Sequence, residues 1–103
     1  MEIDDQLIYI MRNGNTDQYK IGISKNSNKR KKQLQTGNPN EIILMFKCKI
    51  DPGIKAKDVE LTIHHFLKEN GKWIRGEWFK LTRDDVLSIA KLLLNVGVNA
   101  INI

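Results

Sequence analysis

The sequence has few residues that form cross-links or rigid turns, and it has no long apolar run. Cys48 is the single cysteine, which excludes an intramolecular disulfide and a zinc site built from paired cysteines. No apolar stretch approaches the roughly 20 residues of a membrane-spanning helix, and residues 1–5 are acidic where a signal peptide is basic and apolar. These absences predict a protein of a reducing compartment, the cytoplasm, with no membrane partner.

The composition is that of an ordinary globular domain. Hydrophobic residues make up 41% of the 103 residues and charged residues 28%, while 2 prolines and 7 glycines exclude a low-complexity chain. A second domain would need roughly 50 residues with a core of its own. We therefore expect one domain over residues 1–103.

Acidic residues are absent from residues 18–40, and this absence localises the positive charge. The segment contains six cations, which are Lys20, Lys25, Lys29, Arg30, Lys31 and Lys32. Because the whole chain carries +5, the remaining segments together carry −1. Such a local patch is typical of proteins that bind a phosphate backbone, and a merely solvated helix face is the alternative.

Apolar spacing and turn residues predict the element order ββαβαα. The predicted strands are 7–11, 19–23 and 42–50, and the predicted helices are 28–35, 53–69 and about 82–96. The second helix is expected to be capped by Asp51 and to bury Val59, Ile63, Phe66 and Leu67. Thr82 and Asp85 resemble a capping box that opens the third helix.

Two further segments carry aromatic or excess apolar residues. A short irregular hairpin contains Trp73, Trp78 and Phe79, which we expect to close the end of the core, with stacking on unpaired bases as the alternative. Residues 87–94 are more apolar than one helix face requires, and residues 96–103 alternate like an edge strand. This pattern is compatible with a homodimer contact through the C-terminal helix or the tail.

Five short motifs in order resemble those of the GIY-YIG nuclease superfamily, in its phage-type branch. They are Leu7-Ile8-Tyr9, Lys20-Ile21-Gly22, Arg30-x-x-x-Leu34, Glu60-x-x-x-His64 and Gly76-Glu77-Trp78-Phe79. The resemblance covers residues 7–81 and leaves the last helix outside it. It implies an α+β fold with a small three-stranded antiparallel sheet flanked by helices. It also implies hydrolysis of phosphodiester bonds in DNA with one divalent metal, magnesium or manganese.

The resemblance assigns the metal to Glu60, because a hard cation needs a carboxylate and fills its other positions with water and phosphate oxygens. The alternative for Glu60 is a surface ion pair with Lys57 or Lys68. The same resemblance makes Tyr9 the general base or proton relay. A strand aromatic that is half-buried in the sheet is the alternative for Tyr9.

The second triplet departs from the family pattern, since it begins with Lys20 where the family has tyrosine. Tyr19 cannot substitute, because alternation along a strand places it on the opposite face. We expect Lys20 to lower the pKa of Tyr9 or to hold a phosphate. Gly22 is interpreted as a position where a side chain would obstruct the substrate or the packing.

The remaining predicted site residues are basic or polar. Arg30 is the expected phosphate clamp, because a guanidinium holds two oxygens at once. His64 lies one turn after Glu60 and would assist the metal or a leaving group, unless it is a satisfied helix residue. The predicted nucleic-acid contacts are Lys25, Lys29, Lys31, Lys32 and Gly22.

The sequence therefore favours a DNA endonuclease with Tyr9, Lys20, Arg30, Glu60 and His64 in its catalytic site. One alternative is a nucleic-acid-binding module of the same fold that has lost cleavage. Another is a domain that binds only proteins, which would show no salt-dependent binding to nucleic acid.

Overall fold

A computed structural model describes residues 7–102, with side chains through Val96. The elements are β1 (Leu7–Asn13), β2 (Gln18–Ser24), α1 (Ser27–Gln35), β3 (Ile42–Ile50), α2 (Ala56–Glu69), β4 (Trp73–Arg75), β5 (Trp78–Lys80), α3 (Arg83–Val96) and β6 (Gly97–Asn102). Residues 1–5, on which the expectation about a signal peptide rests, lie outside the described residues.

The strands form one antiparallel sheet in the order β4-β5-β2-β1-β3-β6. The predicted α+β class is confirmed, but the prediction of three strands was too low, because the sheet has 6. The three expected strands are its centre. The irregular hairpin adds β4 and β5 beside β2, and the alternating tail adds β6 beside β3. Each addition pairs backbone groups that a three-stranded sheet would leave exposed at its edges.

The larger part of the core lies between the sheet and the two helices α2 and α3. Fully buried strand residues such as Ile8, Ile21 and Phe79 lie in one apolar cluster with Leu67 of α2 and Leu93 of α3. Cys48 also lies in this cluster, and burial raises the pKa of its thiol. A protonated, buried thiol is chemically inert.

The smaller part of the core lies on the opposite face of the sheet, beneath α1. It consists of Tyr9, Met11, Ile42 and Leu44, with Leu34 and Trp78 packed against them. Tyr9 and Met11 are separated by one residue, as expected for neighbours on one face of a strand.

Side chains cap two of the three helices, α1 and α3. Asn26 caps α1 by accepting a hydrogen bond from the Lys29 backbone at 3.0 Å. The predicted capping box of α3 is confirmed, since Thr82 Oγ1 accepts from the Asp85 backbone at 3.1 Å and Asp85 Oδ2 accepts from the Thr82 backbone at 2.9 Å. Asp51 instead accepts from the Gly53 backbone at 2.9 Å in a turn, so α2 begins later than predicted.

The described side chains test the burial predicted in α2 and in the hairpin, and Ile63 and Leu67 are buried as expected. Phe66 is 60% exposed and Trp73 is 49% exposed, so both predictions were wrong, whereas Phe79 is fully buried as expected. In α2 the buried positions are Ala56, Glu60, Ile63, His64 and Leu67. The helix is therefore rotated so that two polar side chains of the candidate site point inward.

The outer surface of α3 carries three exposed leucines, Leu87, Leu92 and Leu94. The homodimer through this helix or the tail stays a prediction. None of the described helices is long and apolar enough to cross a membrane.

Candidate active site at the edge of β2

The candidate site lies where β2 extends past its neighbour β5. β5 pairs only with residues from Gln18 to Lys20, so Ile21 follows at the end of this pairing. The Ile21 backbone N–H donates to the Glu77 carbonyl at 3.1 Å, and the Ile21 carbonyl accepts from His64 Nε2 at 2.8 Å. These two bonds satisfy the Ile21 backbone and bring α2 and the β4–β5 turn to the same point on β2.

Gly22 gives the site its shape, because it lies directly opposite Tyr9 in the β1–β2 pairing. A Cβ atom at this position would lie 2.5 Å from the Tyr9 hydroxyl oxygen and 2.9 Å from Glu77 Oε1. Glycine is therefore required here so that the phenol and the carboxylate can both lie over the strand. The interpretation that a side chain at Gly22 would obstruct packing agrees with this geometry, and the residue is itself buried beneath Tyr9.

Lys20 is buried and forms an ion pair, so it differs from the exposed lysines of the basic patch. Its ammonium lies 3.1 Å from Glu77 Oε1 and 5.6 Å from the centre of the Trp78 ring. Tyr19 lies in the larger core on the opposite face, as strand alternation predicted. Lys20 therefore contributes its charge to the candidate site, where Glu77 balances it.

Glu60 is fully buried, and its two carboxylate oxygens have different environments. Oε1 accepts from Lys57 Nζ at 3.0 Å, and this interaction raises the pKa of Lys57. Oε2 is buried and has no hydrogen-bond partner among the described residues. An unpaired buried carboxylate oxygen is costly, so it marks a position where a cation or a donor would be stabilised.

The Tyr9 hydroxyl is the second buried group without a hydrogen-bond partner among the described side chains. Burial raises the pKa of Tyr9, and the negative charges of Glu77 and Glu60 raise it further. The Arg30 guanidinium lies near the hydroxyl and opposes the shift, although the two groups form no hydrogen bond of ordinary geometry. The expectation that Lys20 lowers this pKa was wrong, because Glu77 neutralises Lys20 and burial dominates.

His64 is placed as a satisfied helix residue, which was the alternative interpretation. A carbonyl oxygen can only accept, so His64 Nε2 carries the proton of its hydrogen bond to Ile21. The ring also packs against Phe79, with ring centres 4.9 Å apart. His64 thus fixes α2 against β2 and thereby positions Glu60, one turn earlier.

The basic patch of α1 and the preceding turn borders the site. Among residues 7–96, Lys25, Lys29, Lys31 and Lys32 form no ion pair with an acid. A groove of about 460 Å³ runs beside Lys25, Lys29 and Arg30. Arg30 therefore connects this exposed groove with the buried Tyr9 hydroxyl.

The family of the chain follows from its match to a known domain. The model of the T5orf172 domain matches residues 6–94. The chain belongs to the T5orf172 domain family. This domain is phage-associated and occurs in the context of GIY-YIG and HNH-like endonucleases. No curated protein and no solved structure gives a significant match.

Glu77 of this T5orf172 domain is a site residue that was not expected from the sequence. It contacts Lys20 through its side chain and Ile21 through its carbonyl. Its motif was recognised, but the motif does not show which way the side chain points. Gly76 has φ +54° and lies in the turn between β4 and β5, and this left-handed turn places Glu77 beside Ile21 of β2.

Proposed function

We propose that this T5orf172 domain is a metal-dependent endonuclease of the GIY-YIG type that hydrolyses phosphodiester bonds in DNA. One observation carries the proposal. Two buried, unpaired oxygens, Tyr9 Oη and Glu60 Oε2, occur in one site with Arg30, Lys20 and Glu77. Such a set of groups suits phosphate hydrolysis, which requires a positioned water, a cation for the phosphate oxygens and a path for a proton.

Glu60 fits the role of metal ligand for magnesium or manganese. Its Oε2 is a free carboxylate oxygen, and such cations commonly bind through one or two carboxylates while water and phosphate oxygens complete their coordination. Residues 7–96 contain no cluster of three or more histidine, cysteine or acidic side chains that would form a cage around a metal. The chemistry supplied by the bound cation is neutralisation of charge on the phosphate and on the leaving oxygen.

Arg30 would hold the non-bridging phosphate oxygens, since it lies between the basic groove and Tyr9. Tyr9 has a raised pKa, so at neutral pH it holds its proton and is a poor base. It would act instead as a relay that takes a proton from the attacking water and passes its own to Glu77. The Tyr9 hydroxyl and Glu77 Oε1 lie 2.5 Å and 2.9 Å from the point that a Cβ at Gly22 would occupy, and because no hydrogen bond joins them, the transfer would require the two groups to move together.

Lys20 would hold the Glu77 side chain in place through their ion pair, and it would add positive charge beside the phosphate. Lys25, Lys29 and Lys32, which are exposed, and the half-buried Lys31 would bind the DNA backbone without reading its sequence. The buried free thiol of Cys48 is in keeping with a reducing compartment such as the cytoplasm.

A catalytically inactive DNA-binding module of the same fold is the second candidate. The observation that favours it is the ion pair between Lys20 and Glu77, which leaves neither group free in the site. Both candidates predict DNA binding through α1. They differ in whether Glu60 supports cleavage in the presence of a divalent metal.

Nicking of supercoiled DNA in magnesium or manganese separates the two candidates. Glu60→Gln should reduce the nicking rate by about 100-fold or more while largely preserving DNA affinity. Glu69→Gln is the matched control, because it makes the same change on an exposed position of α2. Binding without cleavage by the unaltered protein would favour the inactive module.

A further inference from the structure

A second polar cavity lies beside the candidate active site, and the proposed mechanism does not use it. We call it the Trp78 pocket. It has a volume of about 370 Å³ and is lined by Asn13, Gln18, Asn38, Ile74, Arg75 and Trp78. Its size is within the range of small-ligand sites, roughly 300–1,000 Å³.

The lining combines an aromatic ring with amide side chains. Trp78 and Ile74 supply flat or apolar surface, and Arg75 supplies positive charge. Asn13 Nδ2 donates to Gln18 Oε1 at 3.0 Å, which fixes the two amides relative to each other. Among the described residues, Asn13 Oδ1 is buried without a hydrogen-bond partner. The wall of the pocket therefore contains an unpartnered acceptor and the Gln18 amide next to an indole ring.

The pocket shares a wall with the candidate active site. Tyr9, Met11 and Asn13 alternate along β1 towards one face, and Gly22, Lys20 and Gln18 do so along β2. Gln18 is two residues from Lys20, about 7 Å along the strand. Trp78 lines the pocket and also lies beside Lys20. A polynucleotide held at Lys20 and Arg30 would thus reach the pocket within about two nucleotides at the 3.4 Å spacing of stacked bases.

We propose that the Trp78 pocket receives one unpaired nucleobase of the bound DNA, so that the protein acts on DNA with single-stranded segments. Stacking on tryptophan requires a base that is free of its partner strand. Amide groups pair with a base edge that presents both a donor and an acceptor. The inference rests on the proposed function only in taking DNA as the substrate.

Affinity for three DNA molecules in metal-free buffer tests the pocket without requiring cleavage. The molecules are an intact duplex, the same duplex with a short single-stranded gap, and the gapped duplex with abasic residues in the gap. We expect the base-containing gap to bind about tenfold more tightly than the abasic gap. Tryptophan fluorescence of the Trp73→Phe protein, in which Trp78 is the remaining tryptophan, should be quenched by the base-containing gap and not by the abasic one.

Two variants locate the effect in the pocket. Trp78→Leu should bring the affinities for base-containing and abasic gaps close to equality, whereas Trp73→Leu, at an exposed position, should keep the preference. Gln18→Glu should also reduce the preference, and Asn15→Asp is its control, because it adds the same charge at an exposed position of the same hairpin. Gln18→Glu keeps the test valid if Trp78→Leu does not fold.

Equal affinity of the parent protein for base-containing and abasic gaps would overturn the proposal that the Trp78 pocket receives a base, and it would leave the nuclease proposal intact. Preservation of the preference in both Trp78→Leu and Gln18→Glu would also overturn it. Absence of salt-dependent binding to all three molecules would overturn the proposed function as well as the pocket, so the two failures are distinguishable.

Discussion

The core beneath α3 and the candidate active site at the edge of β2 belong to the same small sheet but satisfy their polar groups differently. Leu93 and its neighbours form an apolar cluster, and even the Cys48 thiol there has the Leu93 carbonyl as a partner at 3.5 Å. The buried unpaired side-chain atoms of the described residues are Tyr9 Oη, Glu60 Oε2 and Asn13 Oδ1, and all three belong to the site or to the Trp78 pocket.

This difference indicates that the site retains polar groups that lower the stability of the fold and serve its function. A buried polar group without a partner costs about 1–3 kcal/mol. A domain of this size has only about 5–15 kcal/mol of total stability, so such groups are expensive. Their concentration at one place is expected of a site whose partners are a substrate and a cation. The comparison predicts that mutations in the core lower stability, whereas mutations in the site lower activity.

The largest effect on stability is expected in the core. Leu93→Ala should lower the free energy of unfolding by about 3 kcal/mol, because it leaves a cavity where a fully buried side chain of α3 lay in the apolar cluster beside the sheet. Leu94→Ala, at a position that is 51% exposed, should change it by less than about 0.5 kcal/mol. Urea unfolding of both variants measures the difference, and equal losses would contradict the assigned core.

A smaller loss of stability, with a large loss of activity, is expected at Gly22. Gly22→Ala should destabilise the fold by about 1–3 kcal/mol and suppress nicking, because the new Cβ would displace the Tyr9 ring and Glu77. Gly53→Ala is the control, since its Cβ would make only an ordinary contact of 3.5 Å with Asp51. Full activity of Gly22→Ala would show that the Tyr9 position above this strand is not needed.

The smallest effect is expected at the α3 cap, which belongs to neither region. Partial burial raises the pKa of Asp85, but hydrogen bonds from Thr82 and Lys72 lower it more, so the net shift is downward. The stabilisation is therefore present above the unfolded-state pKa, near 4, and is lost as pH falls through the folded-state value.

Asp85→Asn should accordingly cost about 1 kcal/mol at neutral pH. The difference from the parent protein should shrink in acid. Urea unfolding at several pH values checks this, and a difference that grows on acidification would refute the assignment.

Much of the fold followed from local sequence patterns. The β1–β2 hairpin, the strand β3 and the capping box of α3 each depend on residues close together in the chain. The number of strands did not follow, because β4 and β5 have only 3 residues each, and β5 and β6 join the sheet by pairing with β2 and β3, which are distant in the chain. In α2, Ile63 and Leu67 are buried as predicted, but Phe66 is exposed. Glu60 and His64 are buried in its place, although Phe66 is the more apolar residue. Burial of these two polar residues depends on tertiary contacts with β2 and Lys57.

The sequence predicted which residues form the candidate site better than it predicted how their charges interact. Tyr9, Lys20, Glu60 and Arg30 do come together, but Lys20 was expected to act on Tyr9 as a free cation. Its charge is balanced by Glu77, whose side-chain direction depends on a turn that residue spacing does not specify. Sequence patterns name the charged residues of a site, while their pairing depends on geometry.

The most direct test of the central claim is Tyr9→Phe, with stability and cleavage measured on the same preparation. Removing an unpaired buried hydroxyl should leave the free energy of unfolding unchanged or slightly raised, because no hydrogen bond is lost. The nicking rate in magnesium should fall by about 100-fold, as expected for loss of a group that transfers a proton. Cleavage at the parent rate would contradict the assignment of this site, whatever the effect on stability.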